Sequence, residues 1–365
     1  MENLFNNIYS GKKVFVTGHT GFKGSWLCLW LTKMGAEVIG YSQEAPTSPS
    51  HFDLLKLPVT SIIGNVLDKE NLQKTIAKYQ PDIVFHLAAQ ALVRDSYILP
   101  GETFETNIMG TVNVLEACLS VESVKAIVNV TSDKCYQNIE QIWGYRETDP
   151  MGGNDPYSAS KGATELVAQS YRHSFFNNAQ FGKNHHTLLA SVRAGNVIGG
   201  GDWAKDRLVP DIIRARDNDE TVVIRNPHSV RPWQHVLEPL SGYLQIGWKL
   251  LEGHTAFADN WNFGPSNESL LTVLEVVENI KEHINGLTYQ VIENPDAPHE
   301  AAMLWLDSTK ARTQLHWKNV WNAQKTFEKT ACWYKEYYND AILMSEYDLA
   351  DYIQDAQELS VEWTQ

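Results

Sequence analysis

The 365-residue chain has few cysteines, no excess of basic residues and no long apolar run. Its four cysteines lie far apart without CxxC spacing, which disfavours a disulfide framework, a metal site or a redox motif. A formal charge of -14 disfavours nonspecific binding to nucleic acid or anionic membranes, because an acidic chain repels both. No stretch reaches membrane-spanning length, and the first residues lack a basic segment followed by an apolar one. We therefore expect a cytoplasmic protein with reduced thiols and with neither nucleic acid nor membrane as a partner.

Short β-branched runs alternate with helical patterns through the first half of the chain. The predicted strands are KVFVTG, AEVIGY, VTSIIG, DIVFHLAA, KAIVNVTS and TLLASVRAGNV. The predicted helices between them are FKGSWLCLWLTKM, KENLQKTIAKY, TFETNIMGTVNVLEACL and YSASKGATELVAQSYRHSF. This alternation predicts an α/β fold with a doubly wound parallel sheet and helices on both faces. Such a sheet binds its ligand outside the carboxyl ends of the strands.

The pattern divides the chain into three parts. Residues 1–195, with later returning segments, are predicted to form a dinucleotide-binding domain. Residues 196–343 are predicted to form mainly a smaller substrate-binding lobe, with glycine, arginine, proline and tryptophan concentrated between 199 and 233. Residues 344–365 carry several carboxylates but neither lysine nor arginine, which predicts an acidic tail that is a solvated helix or a frayed end.

Three glycines follow the first predicted strand and lead into a helix. Gly18, Gly21 and Gly24 would let the backbone approach a pyrophosphate at the helix N-terminus. Their spacing is GxxGxxG rather than GxGxxG, and tight strand–helix turns also use glycine. The position of the turn after the first strand of an alternating chain is what favours a dinucleotide site.

The ends of the next two strands leave the cofactor type open. Residues 41–43, Tyr-Ser-Gln, include neither the acid that holds an adenosine ribose nor an arginine, so they do not separate NAD from NADP. Asn65 follows the third strand, where its amide could pair with the adenine amine. An ordinary turn residue at this position explains the asparagine equally well.

Two clusters carry the candidate chemistry. Tyr157 and Lys161 lie four residues apart on one predicted helical face, so an ammonium near the phenol would favour its ionised form. Ser132, Asp133 and Lys134 place a hydroxyl, an acid and a base directly after a buried strand. An adjacent acid and base at the carboxyl end of a strand are suited to paired proton transfers.

These motifs resemble the extended short-chain dehydrogenase/reductase family over nearly the whole chain. The resemblance is carried by TGHTGFKG, HLAAQ, YSASK and RAGNVIGGGDW. It implies a Rossmann-like sheet, NAD as cofactor, and a catalytic set in which Ser132, Tyr157 and Lys161 act together. The segment TSDKCYQN is similar to the CDP-glucose 4,6-dehydratases, whereas dTDP-glucose enzymes carry Asp-Glu where this chain has Asp133 and Lys134.

The dehydratase resemblance implies a role for each member of the acid–base pair. Tyr157 would take the 4-hydroxyl proton while hydride passes from C4 to NAD, and the resulting 4-ketone acidifies the C5 proton. Asp133 would protonate the departing 6-hydroxyl. Lys134 would remove the C5 proton or, alternatively, stay charged and stabilise the enolate. Hydride would finally return to C6.

The resemblance also implies the ligand contacts and the partner. The residues expected to hold the cofactor are Gly18, Thr20, Gly21, Phe22, Gly24, Asn65, Val66, Leu87, Ala88, Ala89, Tyr157 and Lys161. Those expected to hold the substrate, CDP-glucose, are Gln90, Arg94, Asn196, Arg207 and Arg231. Arg207 and Arg231, together with Arg193 and Arg225, follow the predicted catalytic helix. Their guanidinium groups could bind the substrate diphosphate, although solvated surface explains Arg225 equally well. A homodimer through the helices at 103–119 and 157–176 is implied as well.

Other functions stay open at this level. A dehydratase for another nucleotide sugar, or a 4-epimerase that makes no use of Asp133 and Lys134, would fit the same fold. A non-catalytic NAD-sensing regulator is a third possibility. Retention of Ser132, Tyr157 and Lys161 disfavours the regulator, because a sensor needs none of them.

Overall fold

A computed structural model describes residues 3–224, 226–265, 270–284, 286–292 and 303–365. Its strands are β1 (Lys13–Thr17), β2 (Glu37–Ser42), β3 (Thr60–Ile63), β4 (Ile83–His86), β5 (Ala126–Val130), β6 (Leu188–Ala194), β7 (Val197–Ile198), β8 (Val222–Ile224), β9 (Val230–Pro232), β10 (Gln234–His235), β11 (Asn260–Phe263), β12 (Leu270–Thr272) and β13 (Tyr289–Val291). Its helices are α1 (Phe22–Lys33), α2 (His51–Leu55), α3 (Lys69–Tyr79), α4 (Val93–Ile98), α5 (Pro100–Phe104), α6 (Gly110–Leu119), α7 (Pro156–Ser174), α8 (Leu208–Asp217), α9 (Leu237–Leu251), α10 (Val273–His283), α11 (Thr309–Gln314), α12 (Ala323–Asp340) and α13 (Ser345–Glu358). A π-turn at Glu105–Met109 divides the helix predicted at 103–119.

Seven parallel strands form the main sheet in the order β11-β6-β5-β4-β1-β2-β3. This order confirms the predicted doubly wound α/β fold of the Rossmann type. Thr17 at the end of β1 lies opposite Tyr41 in β2 and His86 in β4, so the three strands end at the same level. From β1 the chain adds β2 and β3 on one side, and it then adds β4 and β5 on the other side. The point of reversal lies between β1 and β4, where a crevice opens at their carboxyl ends.

Alternate side chains of the buried strands pack into different layers. In β1, Val14 and Val16 join a cluster with α1 and α9, whereas Phe15 joins a second cluster with α3 and α6. This alternation follows from the two-residue period of a strand. Because both faces are covered, the strands read as nearly continuous apolar runs.

Residues after 196 contribute to both parts of the molecule. The segment from α9 to β11 returns to the large sheet, where β11 pairs in parallel with β6. A smaller lobe contains the pairs β8–β13 and β9–β12 together with α8, α10 and α12, packed around a separate apolar cluster. The division of the chain at 195 and 343 stays a prediction.

The C-terminal segment packs into the core of the large domain, so the expectation of a solvated or frayed tail was wrong. Leu349, Tyr352 and Ala356 of α13 are fully buried, and they lie at the spacing of an amphipathic helix. Beyond the helix, Trp363 is also fully buried and stacks on Phe5, with ring centroids 5.1 Å apart. The apolar stripe outweighs the acidic composition.

Lysines from other helices balance part of the acidic charge of this segment. Lys33 of α1 lies 2.6 Å from Glu346, and Lys329 of α12 lies 3.4 Å from Asp348. The basic residues that residues 344–365 lack are therefore supplied through tertiary contacts.

The described part of the chain contains no helix with the length and apolar character needed to cross a bilayer. Within the same residues, no group of three or more histidine, cysteine, aspartate or glutamate side chains is arranged to hold a metal ion. All four cysteines are free thiols, and three of them are buried.

His51 joins the first helix to the last. Its Nδ1 lies 2.7 Å from Ser25 Oγ of α1, and its Nε2 lies 2.8 Å from Ser345 Oγ of α13. Burial lowers the pKa of His51 to about 3. In the folded protein, the imidazole therefore stays neutral at pH values slightly below 6.5, where the same imidazole in the unfolded chain takes up a proton.

Replacing His51 with glutamine is expected to make the free energy of unfolding depend less on pH below pH 6.5. In the wild type, the contribution of His51 is complete above its ordinary pKa of 6.5 and is lost as the pH falls from 6.5 towards 3. That loss amounts to about 1.4 kcal/mol per pH unit, and the variant lacks it. Denaturant unfolding at pH 7, 6 and 5 measures the slope. The exposed His173→Gln is the matched control, and equal slopes in His51→Gln and wild type would contradict a neutral His51.

Candidate active site

One cavity of about 2090 Å³ opens at the carboxyl ends of β1, β4 and β5. Ordinary small-molecule pockets hold roughly 300–1,000 Å³, so this one has room for two nucleotide-sized ligands. The predicted site residues all line it: Gly18, Thr20, Gly21, Phe22, Gly24, Asn65, Val66, Leu87, Ala88, Ala89, Gln90, Arg94, Ser132, Asp133, Lys134, Tyr157, Lys161, Asn196, Arg207 and Arg231. The structure thus brings these residues together, while their individual roles stay predictions.

The glycine turn between β1 and α1 excludes side chains at two positions. Gly18 has a φ of 74°, and a Cβ there would lie 2.8 Å from the backbone nitrogen of Ala88. A Cβ on Gly24 would lie 2.1 Å from the carbonyl oxygen of Gly18. Gly21 provides no side-chain cap for α1, so the first N–H groups of the helix are available to an anionic ligand.

The turn after β4 is held against the glycine turn by Thr17. The Thr17 hydroxyl accepts hydrogen bonds from the backbone N–H groups of Leu87 and Ala88, at 3.1 and 3.2 Å. It also lies 2.7 Å from Nδ1 of the buried His86. Small residues after His86 therefore form one wall of the cavity close to the backbone of Gly18.

The residues at the ends of β2 and β3 differ in their access to the cavity. Ser42 lies 2.8 Å from the hydroxyl of Thr20 and lines the cavity, but Tyr41 is fully buried and donates to the carbonyl of Asn65. The side-chain oxygen of Asn65 accepts from the backbone N–H of Leu67 at 2.9 Å, as in an ordinary turn. Asn65 thus has the local structural role that was one of its two interpretations, and it also faces the cavity.

The hydroxyl, acid and base after β5 lie within one short turn. The Ser132 hydroxyl donates to Asp133 Oδ1 at 2.9 Å and accepts from the backbone N–H of Lys134 at 3.2 Å. Asp133 is buried, whereas Lys134 is half-buried with its side chain along the cavity. The next residue, Cys135, is fully buried, and burial raises the pKa of its thiol, so it packs under the turn.

Helix α7 presents Tyr157 and Lys161 to the same cavity. The Asp155 carboxylate accepts from the backbone N–H of Ser158 at 2.9 Å and caps the helix, which begins at Pro156. Burial raises the pKa of Tyr157 to about 12, against a smaller lowering by a hydrogen bond with Ser132. The arrangement by itself therefore does not favour the ionised phenol that the spacing predicted. Burial also lowers the pKa of Lys161 to about 8.

A buried network fixes α7 against the sheet. Arg193 Nη2 of β6 donates to Glu165 Oε2 of α7 at 2.7 Å, and the Thr131 hydroxyl at the end of β5 donates to the same carboxylate. Arg193 Nη1 donates to the Tyr136 hydroxyl at 2.6 Å. Arg193 was grouped with the candidate phosphate-binding arginines, but its position inside a doubly covered strand commits it to this network.

Two predicted sugar-side residues are engaged with the protein itself. The Gln90 side chain donates to the carbonyl of Leu92 at 3.0 Å and accepts from its N–H at 2.9 Å. Arg94 Nη1 donates to Asp206 Oδ1 at 2.7 Å, which joins α4 to the loop before α8. Both residues line the cavity, and the ion pair of Arg94 is exposed enough to exchange partners.

Two further predicted substrate residues, Arg207 and Arg231, line the same cavity. Arg207 Nη1 donates to Asp202 Oδ2 at 2.9 Å, and this carboxylate raises the pKa of the guanidinium. Arg231 Nη1 donates to the carbonyl of Val230 at 2.9 Å. Arg225 lies outside the described residues.

Residues 15–330 match the family model described as GDP-mannose 4,6 dehydratase. The chain belongs to this family. A CDP-glucose 4,6-dehydratase of Salmonella typhimurium is 52% identical over 351 residues, which cover 95% of this chain and 98% of that protein. A probable dTDP-glucose 4,6-dehydratase of Sinorhizobium fredii is 26% identical over 89% of this chain and 93% of its own length. The resemblance inferred from the motifs is thereby confirmed.

A solved structure of the same fold is DesIV, a dTDP-glucose 4,6-dehydratase of Streptomyces venezuelae with NAD and TYD bound. It has a TM-score of 0.75 and 22% identity, and the match covers 89% of this chain and 97% of DesIV. At 22% identity, this likeness supports the Rossmann-type fold of the chain.

Sequence reasoning missed Lys23, which lines the cavity of this dehydratase-family protein. Its Nζ lies 3.5 Å from the hydroxyl of Tyr243 in α9. The signal was present in the motif TGHTGFKG, because the tight turn itself has no need of a charged residue between Gly21 and Gly24. The partner in α9 is more than 200 residues away along the chain and could not be inferred.

Replacing Gly24 with alanine is expected to destabilise the glycine turn. The added methyl group would overlap the Gly18 carbonyl oxygen, so the turn must open, at a cost of about 1–3 kcal/mol in unfolding free energy. Dinucleotide binding should weaken in the same variant. The matched control is Gly101→Ala in α5, where an added Cβ meets no atom within 4 Å. Wild-type stability and binding in Gly24→Ala would contradict the close approach.

Proposed function

We propose that the protein is a CDP-glucose 4,6-dehydratase, which converts CDP-D-glucose to CDP-4-keto-6-deoxy-D-glucose and water with NAD as cofactor. The observation that carries this proposal is the turn of Ser132, Asp133 and Lys134, which faces the same cavity as Tyr157 and Lys161. The 52% identity to a CDP-glucose 4,6-dehydratase over nearly the whole chain supports the choice of substrate.

The glycine turn fits a dinucleotide cofactor. Gly18, Gly21 and Gly24 leave the N-terminus of α1 open to a pyrophosphate. The small side chain of Ala88, next to Gly18, takes up little of the space beside it. Bound NAD supplies a reversible hydride acceptor, which the side chains of a protein cannot provide. The contribution of the chain is to bind and orient that group beside the sugar.

Tyr157 is the proposed base for the first step. It removes the proton of the 4-hydroxyl as C4 is oxidised to the ketone. Burial raises the pKa of Tyr157, and the positive charge of Arg207 and the hydrogen bond with Ser132 oppose that rise. Lys161 lies one helical turn further along the same face of α7, where its ammonium orients the ligand hydroxyls around the phenol.

Asp133 and Lys134 are the proposed pair for water loss. Lys134 accepts the C5 proton, and the electrons of the C5–H bond form the C5–C6 double bond. The C6–O bond breaks, and the proton of Asp133 joins the departing oxygen to complete a water molecule. General acid and base groups of this kind each contribute about 10²–10⁴ in rate.

Arginines are the proposed holders of the substrate diphosphate. Arg207 and Arg231 line the cavity, and the planar guanidinium binds phosphate oxygens in pairs. Asn196, Arg94 and Gln90 complete the proposed substrate contacts. These arginines would supply the positive charge at the substrate diphosphate within an otherwise acidic chain.

A homodimer is proposed through the outer faces of α5, α6 and α7. Large apolar side chains are exposed there, including Phe104, Met109, Leu166 and Phe175. The helices pack side by side on the same side of the sheet, so a second copy could cover the apolar side chains together. The proposed location is the cytoplasm, and the proposed product would serve deoxysugar synthesis for lipopolysaccharide O-antigens.

Incubation of the purified protein with CDP-glucose tests the function. The C6 hydroxymethyl signal should disappear from the NMR spectrum and a methyl signal should replace it. Tyr157→Phe is the matched inactive control. A product that keeps its 6-hydroxyl would indicate a 4-epimerase, and activity only with another nucleotide sugar would change the assigned substrate. Inactivity with every nucleotide sugar tested would favour the regulator.

Substitutions of Lys134 separate a base from an enolate stabiliser. If Lys134 removes the C5 proton, both Lys134→Met and Lys134→Arg should lose about 10²-fold or more in product formation, because neither side chain accepts a proton. NMR in deuterated water measures product and exchange of the C5 hydrogen. Retained activity in Lys134→Arg alone would instead assign the positive charge to the enolate.

Leu166→Arg is expected to dissociate the proposed dimer. Leu166 is 57% exposed on α7, and a charge in the centre of an apolar interface would be desolvated without a partner. Light scattering should give the mass of one chain for this variant and of two for the wild type. Tyr347→Arg, at a similarly exposed site on α13, is the control. A single-chain mass for the wild type would overturn the dimer.

A further inference from the structure

Two ion pairs at the cavity join the large domain to the loop that precedes α8. Arg94 Nη1 of α4 lies 2.7 Å from Asp206 Oδ1, and Lys205 Nζ lies 3.1 Å from Asp95 Oδ1 of the same helix. Consecutive residues of α4 thus pair with consecutive residues of the loop, and each segment contributes one charge of each sign. All four residues line the cavity, and we refer to them as the interlobe clasp.

The helix side of the clasp is fixed to α7. Ser96, which follows Asp95 in α4, is fully buried, and its hydroxyl accepts a hydrogen bond from the backbone N–H of Tyr157 at 3.2 Å. The same hydroxyl donates to the carbonyl of Val93 at 2.6 Å within α4. Because a displacement of α4 would break these buried contacts, the loop is the side of the clasp that can move more easily.

The loop side of the clasp is anchored at both ends, whereas its tip is exposed. Trp203 is buried in the apolar cluster of the small lobe, and Arg207 donates to Asp202 at 2.9 Å. Between these anchors, Lys205 and Asp206 are exposed. Asp206 has a φ of 59°, in the left-handed region that residues other than glycine seldom adopt. Such a conformation persists where surrounding contacts hold it, and the pair with α4 is one of those contacts.

The two ion pairs are of the kind that opens readily. The four side chains of the clasp are between 29% and 64% exposed. Exposed ion pairs contribute little to stability, because water hydrates the separated charges almost as well and salt screens them. The loop is therefore held closed by contacts that can break without disturbing the buried anchors on either side.

We propose that the interlobe clasp is a gate for the nucleotide sugar: residues 203–207 move away from α4 to admit or release the ligand, and the two ion pairs close the loop again. This inference rests on the proposed function and adds a conformational step to it. Arg207, a proposed diphosphate contact, follows the clasp directly in sequence, so closure of the loop positions its guanidinium at the cavity. Closing loops of this kind exclude water and commit the substrate to reaction.

Binding kinetics of CDP test the gate. Lys205→Ala removes one of the two ion pairs, and neither Lys205 nor Asp95 belongs to the proposed catalytic or binding set. The association and dissociation rate constants of CDP, measured by stopped-flow tryptophan fluorescence, should both rise by about two- to fivefold, as expected for the loss of an exposed ion pair. Their ratio, the Kd, should change less, because easier opening speeds entry and exit alike. Lys74→Ala, which breaks an exposed pair with Glu70 on α3, is the matched control and should keep wild-type rates.

Reversing the pair separates a gate from a direct effect of the lysine charge on the ligand. Lys205→Asp alone places two carboxylates together and should raise both rate constants at least as much as Lys205→Ala does. The double variant Lys205→Asp/Asp95→Lys restores an ion pair of opposite polarity and should bring both rate constants back towards the wild type. A lysine that acted on the ligand itself would not be replaced in this way.

Hydrogen exchange measures the same opening without a ligand. Backbone amides of residues 203–207 should exchange about two- to fivefold faster in Lys205→Ala than in the wild type, while those of α3 exchange equally in both. Any one of three results would overturn the gate: wild-type CDP kinetics in Lys205→Ala, a double variant no closer to wild type than Lys205→Asp, or unchanged exchange in the loop. A wild type that binds no CDP would count against the proposed function, and the exchange comparison would still decide the gate.

Discussion

The geometry of the site depends on one buried ion pair, between Arg193 of β6 and Glu165 of α7. The two side chains are 1% and 2% exposed, so removing either would leave an uncompensated buried charge, at a cost of about 3–5 kcal/mol. Glu165 lies one turn beyond Lys161, and its carboxylate also accepts from Thr131, the residue before Ser132. The pair therefore fixes the helix that carries the tyrosine and lysine to the strand end that carries the hydroxyl, acid and base.

Around this fixed frame, lysines and arginines line the cavity together with carboxylates. In a chain with a formal charge of -14, the residues that line the cavity include seven cations, which are Lys23, Arg94, Lys134, Lys161, Lys205, Arg207 and Arg231. Burial lowers the pKa of Lys23 and of Lys161 to about 8, because neither ammonium is fully hydrated. Poorly hydrated cations interact more strongly with an anionic ligand than fully hydrated ones do.

The sequence was sufficient for features that are encoded locally. The alternation of strands and helices, the glycine turn and the placement of Tyr157 and Lys161 on one helical face follow from periodicity and turn chemistry, which act over a few residues. The partners of single side chains were not predictable in this way. Arg193 was predicted as a phosphate ligand, but the fold places it beside Glu165. The contact of Lys23 with Tyr243 joins two distant segments of the chain and could not be predicted from local patterns. The prediction of a solvated acidic tail was wrong because it used the charge of the segment and did not consider that the apolar stripe of α13 packs into the core.

The contact between Phe5 and Trp363 has a consequence for the order of events during synthesis. The N-terminal segment is made first, yet the aromatic cluster that covers it stays incomplete until Trp363 has left the ribosome. The main sheet is likewise incomplete until its last strand, β11, has been synthesised, which requires the chain to reach residue 263. Domains that fold as units during translation expose apolar surface in the meantime. The nascent chain of this protein is therefore expected to need protection from aggregation until nearly its whole length has emerged.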